Sequence, residues 1–176
     1  MPKTLTALKN LDLNTNQLRV VPRMFGGLTA LKVLHLGMNQ LATVPGQLGN
    51  LAALTEVGLS DNWLTSVPAD LGNLTTLETL DLSGNELAEG ARMAHRAGGV
   101  GHRQQQADER ADGARKSHGA DGSGPQQQQL ASVPKELGNL KALTSLSLVG
   151  NPDLAPLPEE VDQLSTAHGG KCTINM

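Results

Sequence analysis

The chain has 176 residues and 18.4 kDa, with 14 Lys and Arg against 17 Asp and Glu, a net charge of −3 and a pI near 5.9. This length suits one domain, and the slight acidity argues against a general binder of nucleic acids or anionic membranes. A single cysteine, Cys172, excludes an internal disulfide framework and favours a reducing compartment, so we expect a cytoplasmic protein. We find no signal peptide and no apolar run long enough to span a membrane.

Leucines recur at a fixed spacing through residues 1–87. Four copies of the pattern L-x-x-L-x-L-x-x-N-x-L begin 23 residues apart, at Leu8, Leu31, Leu54 and Leu77. The x-L-x-L-x part alternates, which predicts a short strand with its leucines on one face. One such unit cannot bury its leucines alone, so the pattern predicts stacked repeats.

Each copy carries an asparagine where the chain leaves the strand: Asn16, Asn39, Asn62 and Asn85. A buried amide at such a point must hydrogen bond to the backbone of the turn. We therefore interpret these asparagines as structural rather than catalytic.

The second half of each copy is expected to return the chain along the opposite, convex side. Val-Pro pairs open it at 21–22, 44–45, 67–68 and 133–134. Proline favours the entry to a helix and is excluded from interior strands. Leucines then recur three apart, as at Leu48 and Leu51, which indicates one face of a short helical turn. The Gly-Asn or Gly-Gly before the second leucine is interpreted as a turn signal.

Together these residues resemble the leucine-rich repeat, in particular the intracellular 23-residue type of the Scribble and Ras-group-related proteins. The consensus LxxLPxxLGxLxxLxxLxLxxN is nearly intact over 2–87 and 130–157. The resemblance implies an α/β solenoid with short parallel strands on the concave face and loops and short helical turns on the convex face. We expect about five repeats, interrupted by a disordered loop. The resemblance also implies protein binding through the concave sheet.

The strand positions that point away from the leucines form the expected concave surface, which is small, polar and mildly acidic. It is either a docking face for a basic or polar segment of a protein partner or an ordinary solvated face, because hot-spot residue types are absent from it. Trp63 lies off this face and is expected to pack partly against neighbouring loops. The candidate partner-binding residues are Asn10, Asp12, Asn14, His35, Glu56, Ser60, Asp61, Thr79, Asp81, Ser83, Ser145 and Ser147.

Residues 88–129 break the pattern. They contain no Leu, Ile, Phe or Trp but eight glycines and seven glutamines, so they offer too little apolar surface to offset the cost of ordering and are predicted to be disordered. Their histidines lack metal-ligand spacing, and their mixed charges make a poor phosphate site.

The genetic code suggests an origin for this segment. Residues 107–124 admit codons that, translated one base later, give LTSVPTELGNLTALTGL, which matches 130–146 at 13 of 17 positions. Between Leu87 and Leu130 the coding sequence is nine bases shorter than intact 23-residue repeats would require, and a loss of nine bases restores the reading frame. We therefore predict a frameshifted repeat, produced by mutation or by an error in the sequence, which the transcript would reveal.

The repeat pattern resumes at 130 and weakens after Asn151. Because Leu87 and Leu130 occupy equivalent positions, we expect one continuous solenoid with the insert looped out. Closing that loop costs about 3 kcal/mol, less than the burial of a restored repeat provides. The alternative is two pieces, 1–87 and 130–168, that do not stack. Residues 169–176 are predicted to be a polar tail with at most a capping turn.

The function favoured by these features is a protein-interaction module without catalysis. The sequence contains no P-loop, nucleophile elbow, HExxH motif or Cys/His cluster, and no cofactor is expected. Two alternatives remain open: the recognition segment of a larger kinase, GTPase or ubiquitin ligase, and a decayed or misassembled gene product.

Overall fold

The computed structural model describes residues 7–85, 133–152, 154–167 and 172–176. The predictions made for 88–129, including disorder and the frameshifted repeat, lie outside the described residues. So do the first six residues and the segment 168–171.

The described strands form one parallel sheet in chain order, and each strand lies beside the next. The register places each central aliphatic residue opposite its equivalent in the next repeat, as with Leu34 and Val57 or Val57 and Leu80. The predicted rungs are therefore confirmed. The strands are β1 (Asn10–Asp12), β2 (Val33–His35), β3 (Glu56–Gly58), β4 (Thr79–Asp81), β5 (Ser145–Ser147) and β6 (Thr173–Asn175).

The leucines that face away from the concave side form the core. Leu34, Leu80 and Leu146 have no exposed surface, and Val57 is 1% exposed. Each such side chain contributes roughly 1.5–3 kcal/mol of gross burial energy. The leucines of the first repeat, such as Leu11, are only half-buried because described residues pack on one side of them alone.

The convex side consists of short 3-10 helices, each entered from a proline. Their bounds are Arg23–Gly27, Gly46–Asn50, Ala69–Asn73 and Lys135–Asn139. Pro68 precedes the third with φ −68°, which is the value that the proline ring imposes. Because a 3-10 helix has three residues per turn, leucines three apart face the same way. The predicted helical turns are therefore confirmed.

One glycine in each 3-10 helix lets neighbouring repeats approach closely, a role that the turn interpretation missed. A Cβ on Gly49 would lie 2.7 Å from the carbonyl carbon of Asp70 in the next repeat. A Cβ on Gly72 would lie 2.7 Å from the carbonyl carbon of Glu136. Both values are far below van der Waals contact, so the glycines set the spacing of the convex stack.

The repeats on either side of the insert stack directly. Strand β4 pairs with β5 in parallel, with Leu80 opposite Leu146. The hydroxyl of Thr144 donates a hydrogen bond of 3.0 Å to the carbonyl of Glu78, which is 66 residues earlier in the chain. The described residues thus form one continuous solenoid, and the alternative of two unstacked pieces does not describe this structure.

The C-terminal end differs from the prediction. Instead of a polar tail, residues Thr173–Asn175 form β6, which pairs with β5 and makes six strands where about five repeats were expected. Two short helices, α1 (Glu159–Asp162) and α2 (Leu164–Ala167), replace the 3-10 helix of the earlier repeats. Sequence periodicity missed this rung because its buried residues include Cys172 rather than a spaced set of leucines.

Candidate interaction surface

Eleven of the twelve candidate residues lie in rows that run across the concave sheet, and all twelve are half-buried or exposed. In the first two of the three rows given below, residues of neighbouring strands are paired by the sheet register. The third row lies just past the strands, where backbone hydrogen bonds between repeats continue: the amide of Thr15 donates to the carbonyl of Gly37 at 3.0 Å. The rows are Asn10, Glu56, Thr79 and Ser145, then Asp12, His35, Asp81 and Ser147, then Asn14, Ser60 and Ser83.

At the centre of the surface, the imidazole of His35 contacts the carboxylate of Glu56. Nε2 of His35 lies 2.9 Å from Oε1 of Glu56, and their side chains are 30% and 46% exposed. The residue opposite His35 in the register is Gly58, and a Cβ there would meet Cδ2 of His35 at 3.3 Å. The missing side chain gives the imidazole room to reach diagonally to Glu56. An exposed pair of this kind contributes at most about 1 kcal/mol.

Two other carboxylates of the surface are partly engaged by their own turns. The amide of Asn14 donates to Oδ1 of Asp12 at 2.9 Å. The amide and hydroxyl of Ser83 donate to Oδ1 of Asp81 at 3.0 and 2.6 Å. Asp side chains commonly stabilise turns in this way, and the Asp-x-Asn and Asp-x-Ser spacing could have revealed it. The second oxygen of each carboxylate accepts no hydrogen bond from a described residue.

Asp61 occupies a different place from the other candidates. It lies in the turn after β3 with φ 52°, as do Thr15 and Met38 in the equivalent turns, where Gly84 and Gly150 also have positive φ. Aspartate tolerates this left-handed conformation because its short polar side chain can bond locally. We call this edge of the sheet, made by Met38, Asp61 and Trp63, the rim.

The rim exposes large apolar side chains. Met38 is 58% exposed and Trp63 is 50% exposed. Trp63 was expected to pack partly against loops, and half of its surface is indeed covered. The remaining half faces solvent, two residues along the chain from the exposed Asp61.

The asparagines at the strand exits are structural, as predicted. Asn62 is 3% exposed, and its amide nitrogen donates to the carbonyls of Leu36, Leu59 and Ser60 at 2.9–3.2 Å. Its Oδ1 accepts from the amide of Leu41 at 3.0 Å. Asn39 and Asn85 make the same set of bonds one repeat before and after.

A groove of about 670 Å³ lies away from the concave face, where the Val-Pro segments enter the 3-10 helices. Arg23 and Asp70 border it, and a Cβ on Gly46 would lie 3.0 Å from Cγ of Asp70. None of the candidate residues lines it.

The described ranges provide no further site chemistry. They contain no group of three or more His, Cys, Asp or Glu side chains that could hold a metal ion. No helix within them is long and apolar enough to cross a bilayer. Burial raises the pKa of the Cys172 thiol above its ordinary value of 9.0.

The sequence matches no protein-family model and no curated protein. Its fold matches solved structures instead. A leucine-rich repeat protein of Leptospira interrogans is 23% identical, with a TM-score of 0.56 over 98% of this chain and 38% of that chain. The internalin InlF of Listeria monocytogenes is 20% identical, with a TM-score of 0.61 over 97% and 35%.

A third similar structure is the ectodomain of the receptor kinase GASSHO1/SCHENGEN3 of Arabidopsis thaliana, solved in complex with Casparian strip integrity factor 2. It is 25% identical, with a TM-score of 0.62 over 97% of this chain and 15% of that chain. The chain therefore spans only 15–38% of the lengths of these three proteins. The parallel register, the asparagine bonds and these matches together identify the chain as a leucine-rich repeat solenoid.

Proposed function

We propose that the chain is a protein-interaction module that binds a basic or polar segment of a partner across its concave sheet. The carboxylates of that sheet carry the proposal. Glu56 is 46% exposed, and Asp12 and Asp81 each keep one oxygen free of hydrogen bonds from described residues. The candidate set contains no Lys or Arg, so the candidate surface favours positive charge.

Rigidity also favours binding. Most of the surface stands on strands β2 to β5, whose inner residues are fully buried, and its turns are fixed by bonds such as that from the amide of Gly37 to Oδ1 of Asn14 at 2.7 Å. A preorganised surface loses little conformational entropy on binding. The similar Arabidopsis ectodomain was solved with a bound factor, which supports a partner for a solenoid of this shape.

The same proposal includes the cytoplasm as the location and the intracellular 23-residue type as the repeat class. Hydrogen bonds between equivalent positions 23 residues apart, such as that from Thr55 to the carbonyl of Lys32 at 3.1 Å, support the repeat length. The single free cysteine supports a reducing compartment. Catalysis is not part of the proposed function.

Two charge-matched triple variants test the concave surface. The concave variant is Asp12→Asn with Glu56→Gln and Asp81→Asn, and the convex control is Asp70→Asn with Glu136→Gln and Glu160→Gln. Each removes three negative charges, and asparagine preserves the turn bonds at 12 and 81.

The measurement is quantitative capture of proteins from an extract of the source cells on the immobilised wild type and both variants. We expect proteins retained by the wild type and the convex control to be lost from the concave variant. Equal retention by all three would contradict a concave binding surface.

A second candidate function is the recognition segment of a larger kinase, GTPase or ubiquitin-ligase protein. The small share of the similar proteins that this chain spans favours it. The sequence of the full transcript tests this candidate and also the alternative of a decayed gene product. A long open frame that joins the repeats to a catalytic domain supports the first, whereas stop codons and the predicted frameshift support the second.

A further inference from the structure

The rim carries the exposed residue types that dominate protein interfaces. Trp63 and Met38 are 50% and 58% exposed, and tryptophan and methionine are both enriched at interfaces over other surfaces. Trp63 is also the only tryptophan of the chain. Its exposed half leaves indole surface available to a partner.

The asparagine bonds hold the rim side chains outward. Asn62 is fixed toward the core by its four hydrogen bonds, and the amide of Trp63 donates to the carbonyl of Leu41 at 2.9 Å. Asp61 and Trp63 flank Asn62, and both are exposed. Their backbone is therefore preorganised before any partner arrives.

The carboxylate of Asp61 is held at the surface without a cation. A Cβ on Gly84 would collide with Oδ1 of Asp61, so the carboxylate lies directly over the glycine of the next turn. Among the described residues, the one carboxylate within salt-bridge distance of a basic side chain is that of Glu56, next to His35, so Asp61 has no such partner there. Equivalent turns place Thr15, Met38, Gly84 or Gly150 at the position of Asp61, so within the described turns the combination of acid and indole occurs in the third repeat.

An exposed carboxylate and an exposed indole two residues apart in one turn suit a guanidinium group. The planar guanidinium stacks on the face of an indole ring and donates two parallel hydrogen bonds to a carboxylate. A lysine ammonium is more strongly hydrated and cannot form the paired bonds. Met38, one repeat earlier on the same rim, offers a flexible apolar surface to a neighbouring side chain of the partner.

We propose that the rim formed by Met38, Asp61 and Trp63 binds an arginine side chain of the partner, with an apolar residue next to that arginine. This inference rests on the proposed function, because the rim continues the concave sheet at the end of β3. It differs from the expectation that Trp63 only packs against loops. The proposal also predicts that the rim recognises an arginine of the partner and not positive charge in general.

The emission of the single tryptophan gives a direct test. The probe is the hexapeptide acetyl-Gly-Ser-Arg-Leu-Ser-Gly-amide, and the matched peptides carry citrulline or lysine in place of arginine. We expect a saturable change in Trp63 emission with the arginine peptide. Because exposed ion pairs are weak, the citrulline peptide should bind about threefold to fivefold more weakly. Equal binding of the arginine and citrulline peptides would overturn the proposal.

Rim variants locate the binding by calorimetry. Asp61→Asn should weaken the arginine peptide by about threefold to fivefold, and Trp63→Leu should weaken it by a similar factor of about threefold. Asp70→Asn removes the same charge from the convex side and should leave the affinity unchanged.

The outcomes separate this proposal from the proposed function. Loss of peptide affinity in the concave triple variant, without loss in Asp61→Asn or Trp63→Leu, would overturn the rim assignment and retain concave binding. No binding of the arginine peptide at millimolar concentration would also overturn the rim assignment, while the capture comparison would still decide the concave surface.

Discussion

The substitution Gly72→Ala tests whether the repeats on the two sides of the insert form one cooperative stack. Gly72 lies in the 3-10 helix Ala69–Asn73, and the next described helix in the stack is Lys135–Asn139. A methyl group on Gly72 would lie 2.7 Å from the carbonyl carbon of Glu136 and 2.9 Å from its Cβ. The obstacle is backbone, so no side-chain rotation relieves it.

The size of the effect follows from the overlap. The two helices must separate by about 1 Å or more, and overpacking of this kind costs about 1–3 kcal/mol. Gly49→Ala places the same methyl 2.7 Å from the carbonyl carbon of Asp70 inside the uninterrupted repeats and should cost as much. In Gly58→Ala the nearest atom is the movable Cδ2 of His35 at 3.3 Å, so we expect a change of at most about 0.5 kcal/mol.

Urea unfolding followed by circular dichroism measures these free energies, and hydrogen exchange separates 10–85 from 133–151. A loss of about 1 kcal/mol corresponds to about 2–4 °C in Tm for a chain of this size. Because a solenoid is stabilised by nearest-neighbour interfaces, Gly72→Ala should also lower protection mainly in 133–151. Wild-type stability in Gly72→Ala, together with a destabilised Gly49→Ala, would show that the two blocks do not stack.

Three further outcomes are expected. Asn62→Ala leaves three carbonyls and the amide of Leu41 without their partner, so the free energy of unfolding in urea should fall by about 3 kcal/mol. Asn16→Ala, at an exposed position, should lower it by about 1 kcal/mol or less. Equal losses would contradict the role of burial. Burial raises the pKa of the Cys172 thiol, so the thiol of the unfolded chain ionises first and the free energy of unfolding should fall as pH rises above 9.0. The fall should be smaller in Cys172→Ser, and identical pH profiles of the two proteins would show that the thiol is not the cause. Sequencing the transcript should return codons for 107–124 that translate one base later into LTSVPTELGNLTALTGL, and incompatible codons would exclude the frameshift.

The repeated part of the fold was predictable because its information is local and periodic. Leu31, Leu34 and Leu36 specify a strand with one buried face, and the copy 23 residues later specifies its neighbour. Asn39, Asn62 and Asn85 were assigned correctly for the same reason, since a buried amide has few partners other than the turn backbone. Asn16 bonds to its turn in the same way but from an exposed position.

The sixth strand could not be predicted in this way. Thr173–Asn175 pairs with β5 after 28 residues rather than 23, across the helices α1 and α2. No leucine spacing marks it, and its position depends on the free edge that β5 presents. An edge strand pairs with whatever chain can satisfy its backbone groups, and the sequence of the partner strand is a weak signal.

The candidate surface was likewise predicted only in part from the sequence. Alternation identified which residues face away from the core, and each lies half-buried or exposed as expected. It did not foresee that the absence of a side chain at Gly58 lets His35 reach Glu56, or that Gly84 lets the carboxylate of Asp61 lie over its backbone. Both depend on residues in adjacent repeats, which are far apart in the chain.

By itself, then, the sequence determined the repeat length, the buried ladder and the polar face, because these follow from the order of apolar and polar residues along a single repeat. Only the tertiary structure decided which repeats meet across the insert, how the chain ends and which side chains share a site. Those features arise from contacts between repeats, where one missing methyl group at Gly72 or Gly84 sets what can approach.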